Sequence, residues 1–63
     1  MFYNFRSFCI NINHIIRVTK IFDKEIEIEY YTVNTIHHQT VYYNTEEERD
    51  FAYNCFVNEM KGR

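Results

Sequence analysis

A six-residue segment in which glutamate and isoleucine alternate, EIEIEY at residues 25–30, constrains the fold more than any other feature of the sequence. Successive side chains of a β-strand point to opposite faces, so this segment places its isoleucines on one face and its glutamates on the other. Such a strand belongs to a sheet that is packed on one side and hydrated on the other. The chain has 63 residues, which is enough for one hydrophobic core.

Three further segments have the pattern or composition of strands. Residues 8–12 alternate large apolar side chains with smaller ones, and residues 15–22 are rich in β-branched side chains. Residues 40–43 form a short last strand, and the EIEIEY strand is expected to continue to residue 33. All predicted strands therefore lie within residues 8–43.

The connections between these strands are short. Asp23 and Lys24 make a two-residue hairpin turn, although without glycine this signal is weaker than Asn-Gly or Asp-Gly. Residues 34–38 are expected to connect the third strand to the fourth. Short connections favour antiparallel neighbours, because parallel strands need a long crossover.

A helix is predicted over residues 46–61. Thr45 and Glu48 form the T-x-x-E pattern of a capping box. The glutamates at 46–48 suit the positive end of the helix dipole, and Lys61 and Arg63 suit the negative end. The predicted core stripe repeats with a helical period and consists of Phe51, Ala52, Cys55, Phe56 and Met60.

These elements predict an α+β fold. A small antiparallel meander of three to four strands packs on one C-terminal α-helix in the order ββββα, and residues 1–63 form a single domain. One helix covers only one face of a sheet, so the other face is left open.

More apolar and aromatic side chains remain than this single core accommodates. The N-terminal Phe2, Tyr3 and Phe5 have no partner in a four-stranded arrangement, and Tyr53 and Val57 form a second stripe on the helix. The open sheet face is expected to carry Ile15, Arg17, Thr19 and Ile21, with Tyr31 and either Tyr42 or Tyr43 nearby. Either the N-terminal aromatics extend the first strand or fold over the open face to complete the core, or these residues form a contact surface.

The contact surface is the preferred hypothesis. Its predicted aromatic anchors lie at the N-terminus, on the sheet and on the helix, and Arg17 supplies a directional contact. A homodimer made by sheet faces or strand edges is the expected assembly. The predicted partner-binding residues are Phe2, Tyr3, Phe5, Arg17, Tyr31, Tyr42, Tyr53 and Val57.

The residues that would carry catalysis or bind a metal or cofactor are sparse. His37 and His38 are adjacent and would point to opposite faces of an extended segment, which disfavours a shared metal ion. Cys9 and Cys55 occupy predicted core positions, so we expect free, buried thiols, with a bridge between them as the alternative. No catalytic motif or glycine-rich phosphate loop is present. We therefore predict no enzyme activity, no metal and no cofactor.

The charge balance limits the choice of partners. The formal net charge is −2 and the isoelectric point is about 5.8, so no global basic field attracts nucleic acid or anionic membranes. No apolar run approaches the roughly 20 residues that span a bilayer, and the N-terminal segment lacks the features of a signal peptide. We predict a cytoplasmic protein.

Two alternatives use the charged side chains. A sheet face that combines Tyr3, Tyr31 and Tyr42 with nearby Arg and Lys side chains, including Arg6 and Arg17, would suit single-stranded nucleic acid or a nucleotide. The glutamates of EIEIEY would oppose this binding if they lie on the same face. The acidic residues of strand and helix could instead imitate a nucleic-acid backbone, although such runs ordinarily provide solubility.

The short chain, rich in Asn, Tyr and Ile, with a strand meander and a T-x-x-E helix start, resembles the small accessory proteins of phages and other mobile elements. The resemblance covers the whole chain and is compositional. It implies a stoichiometric binder that inhibits or redirects a host protein, including host defence proteins. The resulting hypothesis is a non-enzymatic protein-interaction module.

Overall fold

The computed structural model describes residues 1–62 and has an α+β architecture with one C-terminal helix, as predicted. An antiparallel hairpin of two strands precedes an antiparallel sheet of three strands in the order β3-β4-β5. A 3-10 turn at Ile12–His14 joins the two sheets. The elements are β1 Phe2–Phe5, β2 Phe8–Asn11, β3 Ile15–Ile21, β4 Glu25–Thr32, β5 Thr35–Tyr42 and α1 Glu46–Lys61.

The alternating strand β4 forms the centre of the three-stranded sheet. Ile26 lies opposite Val41 of β5, and Ile28 lies opposite Val18 of β3. Ile26, Ile28 and Val41 are fully buried, and each such side chain stabilises the fold by about 1.5–3 kcal/mol. The prediction that the isoleucines face the core is confirmed, and alternation places the glutamates on the opposite face.

Of the N-terminal hairpin, the second strand was predicted over residues 8–12, but β1 and its pairing with β2 were not. β1 and β2 pair from Phe2 opposite Asn11 to Phe5 opposite Phe8. Phe5 is only 1% exposed and, with Ile10, belongs to the same core cluster as the sheet isoleucines. The hairpin therefore completes the core beside the helix. The expectation that Phe5 lacks a core partner was wrong, and Tyr3 is half-buried against the same cluster.

Strand β5 is longer than predicted. Residues 34–38 were expected to form a connection, but β5 begins at Thr35 after a two-residue turn. His37 lies opposite Tyr30, and the two rings stack with centroids 5.3 Å apart. His38 lies opposite Glu29, with Nε2 and a carboxylate oxygen 3.3 Å apart. These cross-strand pairs stabilise a segment whose own strand propensity is modest.

A β-bulge alters the face that β3 presents. Ile15 is opposite Tyr30 and Arg17 is opposite Glu29, so Ile16 is the extra residue between them. The bulge places Ile15 against the core rather than beside Arg17 on the open face. Strand β3 ends at Ile21, and Phe22 opens a three-residue turn with a φ of 52°, a backbone conformation that is unfavourable for a bulky side chain.

The helix has the predicted bounds but a different buried face. Thr45 Oγ1 accepts a hydrogen bond from the Glu48 N–H at 3.0 Å, which confirms the N-cap. The Glu48 carboxylate accepts from the Asn44 N–H at 3.2 Å, one residue before the expected donor. Arg63, which was expected to complement the helix C-terminus, lies outside the described residues.

The side chains that face the core from α1 follow a different phase from the predicted stripe. Phe51 is 72% exposed, and Cys55 and Met60 are also exposed. Tyr53 and Val57 pack against the core instead of forming a second, outer stripe. The observed inward positions repeat at i, i+3, i+4, i+7 and i+8, and they are Arg49, Ala52, Tyr53, Phe56 and Val57.

Arg49 anchors the start of the helix to the sheet. Its side chain is buried, and Nη1 donates to the carbonyl oxygens of Ile21, Phe22 and Glu25 at 3.2–3.3 Å. Nε donates to an Asp50 carboxylate oxygen at 2.7 Å. A buried cation with this set of acceptors fixes both the helix and the turn that contains Phe22.

Candidate protein-binding groove

An open groove of about 580 Å³ lies between helix α1 and the β1–β2 hairpin. Its walls are predominantly apolar and aromatic, and charged side chains stand at its rim. The apolar lining consists of Tyr3, Phe5, Tyr43, Phe51, Ala52 and Cys55. Grooves of this size and composition are typical of ligand and peptide sites.

An aromatic cluster forms a rigid wall of this groove. The Tyr3 ring lies 4.8 Å from that of Phe5 and 5.3 Å from that of Phe56, centroid to centroid. The rings of Phe5 and Phe56 are 5.4 Å apart, so hairpin and helix are joined through one three-ring contact. Because Phe5 and Phe56 are buried, the wall is preorganised by the core.

Two helix residues leave apolar or soft side chains uncovered beside this wall. Phe51 and Cys55 are spaced i, i+4, so they lie on one side of the helix one turn apart. Both are exposed and both line the groove. Cys9 and Cys55 are free thiols, but the expectation that they are buried was wrong. In β2 the inward positions belong to Phe8 and Ile10, so alternation turns Cys9 outward.

Tyr43 forms a second part of the lining. Its hydroxyl oxygen is enclosed and has no hydrogen-bond partner among the described residues. Burial raises the pKa of the Tyr43 hydroxyl above its ordinary value, and the Arg6 guanidinium opposes this shift. Arg6 stands 5.8 Å from the centre of the Tyr43 ring, and its Nη1 donates to the Tyr42 carbonyl at 3.4 Å.

Tyr3 experiences a similar environment. Burial raises its pKa first, and the nearby Cys55, Tyr43 and Glu59 raise it further because a second negative charge beside them is unfavourable. The hydroxyls of Tyr3 and Tyr43 are therefore neutral hydrogen-bonding groups at physiological pH.

The rim of the groove is charged on both sides. Arg6 lies on the hairpin side, and Glu47 and Glu48 lie on the helix side. Glu48 is used by the helix cap, and Glu46 pairs with Arg49 Nη2 at 3.5 Å. Among residues 1–62, Glu47 has no hydrogen-bond or ion-pair partner. It is a free carboxylate directly beside exposed Phe51.

The open face of the three-stranded sheet is polar. Arg17 pairs with Glu29 at 3.0 Å, and His38 contacts Glu29 at 3.3 Å and Glu27 at 4.0 Å. Arg17 is therefore already paired within the chain. Tyr31 lies towards one end of this face and Tyr42 towards the other, beside Glu25. This face carries the glutamate row between its aromatic residues.

The structure distributes the eight predicted contact residues over several places. Tyr3 and Phe5 line the groove, although Phe5 is buried at its wall. Phe2 is exposed beside a smaller hollow of about 310 Å³ that also includes Phe8 and His14. The remaining five lie on the sheet or under the helix, and they are Arg17, Tyr31, Tyr42, Tyr53 and Val57.

Several groove residues were not predicted as contacts. Phe51 and Cys55 were assigned to the core because the stripe was phased on apolar residues alone. When the buried Arg49 is counted as an inward position, the helical period predicts that Phe51 and Cys55 are exposed and that Tyr53 faces the core. The contribution of Tyr43 required knowing where the N-terminal hairpin lies.

The three histidines serve separate local contacts. His37 Nε2 is 3.0 Å from Thr32 Oγ1, and the His14 ring is 5.4 Å from that of Tyr31. Within residues 1–62 no three potential ligands from His, Cys, Asp and Glu come together as a metal site. The single α-helix of the described chain is too short and too polar to cross a membrane.

No family model matches the sequence, and the searches of curated proteins and of solved structures also found no match.

Proposed function

We propose that this chain is a non-enzymatic protein-interaction module that binds an apolar segment of another protein in the groove between α1 and the β1–β2 hairpin. The observation that carries the proposal is the exposed Phe51 beside a wall fixed by Tyr3 and Phe5. An exposed aromatic next to a preorganised apolar groove is the usual arrangement of a binding anchor.

The chemistry of the groove defines the expected partner segment. A large apolar side chain would fill the space between Phe51 and the aromatic wall. A Lys or Arg close to it would pair with Glu47, the free carboxylate of the helix-side rim. The acidic first turn of α1, with Glu46 and Glu48 beside Glu47, reinforces this preference.

Because each chain has one such groove, it would bind one partner segment and act stoichiometrically. The resemblance to phage accessory proteins supports a host protein as the partner, with defence proteins among the candidates, and the proposed site of the encounter is the host cytoplasm. Homodimerisation remains part of the proposal. It would present two grooves and increase avidity towards a partner that carries two binding segments.

Single-stranded nucleic acid is the weaker proposal. The candidate cation Arg17 is paired with Glu29, and the glutamate row lies on the same face as Tyr31 and Tyr42. Phosphates on this face would be repelled by those carboxylates. A titration with labelled oligonucleotides at low salt should therefore show no saturable binding.

A displayed library of random 12-residue peptides, selected on the immobilised chain, tests the groove. We expect the selected peptides to combine an aromatic or long aliphatic residue with a neighbouring Lys or Arg. Truncating a central anchor costs about 2 kcal/mol, which is about thirtyfold in affinity. Phe51→Ser should therefore weaken the selected peptides about thirtyfold, and Glu47→Gln should weaken them less.

Phe22 provides a matched control because it is 81% exposed and lies on a turn away from the groove lining. Phe22→Asn removes an aromatic side chain of equal size and should leave peptide affinity unchanged. Thermal melts verify that each variant is folded. Peptides that bind Phe51→Ser as tightly as the unaltered chain, or that lose affinity equally with Phe22→Asn, would refute the assignment of the groove.

A further inference from the structure

Strand β5 leaves backbone hydrogen-bonding groups unused along the edge of the sheet. Among the described strands, it pairs only with β4. The Tyr43 N–H donates to the Lys24 carbonyl at 2.8 Å, so alternation along the antiparallel ladder turns the N–H and C=O of residues 36, 38 and 40 outward. The Tyr42 carbonyl has the same orientation and accepts from Arg6. The Thr40 carbonyl accepts a hydrogen bond from the Gln39 side chain at 3.3 Å. Within residues 1–62, the N–H groups of Ile36, His38 and Thr40 and the carbonyls of Ile36 and His38 have no partner.

The two edges of this sheet differ in the features that prevent pairing. β3 has a bulge at Ile16 and carries the charged Arg17 and Lys20. β5 pairs in regular register over its full length and contains no Lys, Arg, Asp, Glu or Pro. Natural proteins protect exposed edges with charges, prolines and bulges. β3 follows this practice and β5 does not.

From this contrast we infer that β5 pairs antiparallel with β5 of a second copy of this chain, with His38 opposite His38 at the two-fold axis. In this register the outward groups of Ile36 on one copy meet those of Thr40 on the other. About six backbone hydrogen bonds form once the Gln39 side chain of each copy releases the Thr40 carbonyl, and one six-stranded sheet results. Side chains of residues that lie opposite each other point to the same face of the sheet, so the hydrophobic cores of both copies lie on the same face of the six-stranded sheet.

The charge distribution favours a second copy as the occupant. Each chain has a net charge of −2, but the residues that meet at this edge are neutral or histidine. The two acidic β4 strands would lie three strand spacings apart, about 14 Å, which exceeds the Debye length of about 8 Å at physiological ionic strength. Exposed Ile36, which is 60% accessible, gains an apolar neighbour in the Thr40 methyl group.

The β5 pairing specifies the interface of the homodimer, and it rests on the homodimerisation that is part of the proposed function. Sedimentation equilibrium of the full chain should give twice the monomer mass of 7.9 kDa. His38→Lys places two like charges opposite each other at the axis and should raise the dimer dissociation constant about tenfold or more. His38→Gln is the neutral control and should leave the dimer intact.

Amide hydrogen exchange identifies the edge directly. The outward N–H groups of Ile36, His38 and Thr40 should be protected in the dimer and exchange rapidly in His38→Lys. Thr40→Pro is a second variant, because it removes an outward N–H without breaking the β4 ladder, and it should also yield monomers. A monomeric unaltered chain, or a dimer whose three amides exchange rapidly, would overturn the proposed pairing.

The groove provides an independent readout. Peptides selected on the unaltered chain should bind His38→Lys, at a concentration where this variant is monomeric, with unchanged affinity per site, because the groove lining contains no β5 residue from 35 to 41. A dimer through β5 that selects no peptides would refute the groove alone. Peptide binding by a monomeric unaltered chain would refute the β5 pairing alone.

Discussion

Replacing Arg49 with Met should destabilise this protein more than any exposed charge substitution. Met keeps most of the length and apolar volume of the arginine side chain but cannot donate a hydrogen bond. Arg49 is 4% exposed and its Nη1 is shared among three backbone carbonyls. Its loss would leave those carbonyls without their donor and would release the turn from the helix.

The magnitude follows from the number and quality of these contacts. A hydrogen bond to a charged group contributes about 1.5–3 kcal/mol, but one nitrogen shared at 3.2–3.3 Å does not make three full bonds. Removing the buried cation also removes its own desolvation cost. We therefore expect a net loss of about 3 kcal/mol. Total stability at about 0.05–0.15 kcal/mol per residue is only about 3–9 kcal/mol here.

Urea denaturation followed by circular dichroism measures this loss. Arg17→Met is the matched control, because Arg17 forms an exposed ion pair with Glu29 and its side chain is 69% accessible. Exposed pairs contribute about 0–1 kcal/mol. A free energy of unfolding for Arg49→Met within about 0.5 kcal/mol of that of the control would show that the carbonyl contacts do not anchor the helix.

Three further predictions use other features. Burial raises the pKa of Tyr3 and Tyr43 above the ordinary 10.0, so their contribution to stability is fully present below pH 10 and is lost as the pH rises through the raised values. An absorbance titration should show two tyrosines that ionise late, and simultaneous ionisation of all tyrosines would contradict this. Phe22→Asn should raise thermal stability by about 0.5–1 kcal/mol, because Asn tolerates the positive φ of this turn, and a lower melting temperature would contradict the strain. Cys9 and Cys55 should both react with a thiol reagent in the native state, whereas a lag set by unfolding would show that they are buried.

The parts of the fold with local signals could be predicted from the sequence. The alternation in EIEIEY assigned the inward face of β4, and Thr45 with Glu48 located the helix start. In the N-terminal hairpin, alternation predicted β2, but β1 has no such signal and the turn at Arg6 and Ser7 contains neither Gly nor Asn. Strand β1 is held in place by a long-range contact between the rings of Phe5 and Phe56 of the helix.

The candidate groove could be predicted only in part, for two physical reasons. The inward face of the helix was predicted from apolar residues alone, and this method does not recognise a buried cation such as Arg49. Phe51 was therefore assigned to the core although it is exposed. The groove also depends on how the hairpin sits beside α1, which no local pattern specifies. Tyr3 was identified as a contact residue, while Tyr43 and Cys55 were not.

The bulge at Ile16 would limit further growth of the dimer proposed above. A subunit in which both edge strands of the sheet could pair with other subunits would assemble without limit into a fibre. Here the irregular backbone and the flanking Arg17 and Lys20 make one side unsuitable for addition. In the proposed dimer the two β5 edges would cover each other, and only the bulged β3 edges of the joined sheet would remain outside. If β5 pairs as proposed, one extra residue in β3 would thus favour a dimer over a longer assembly.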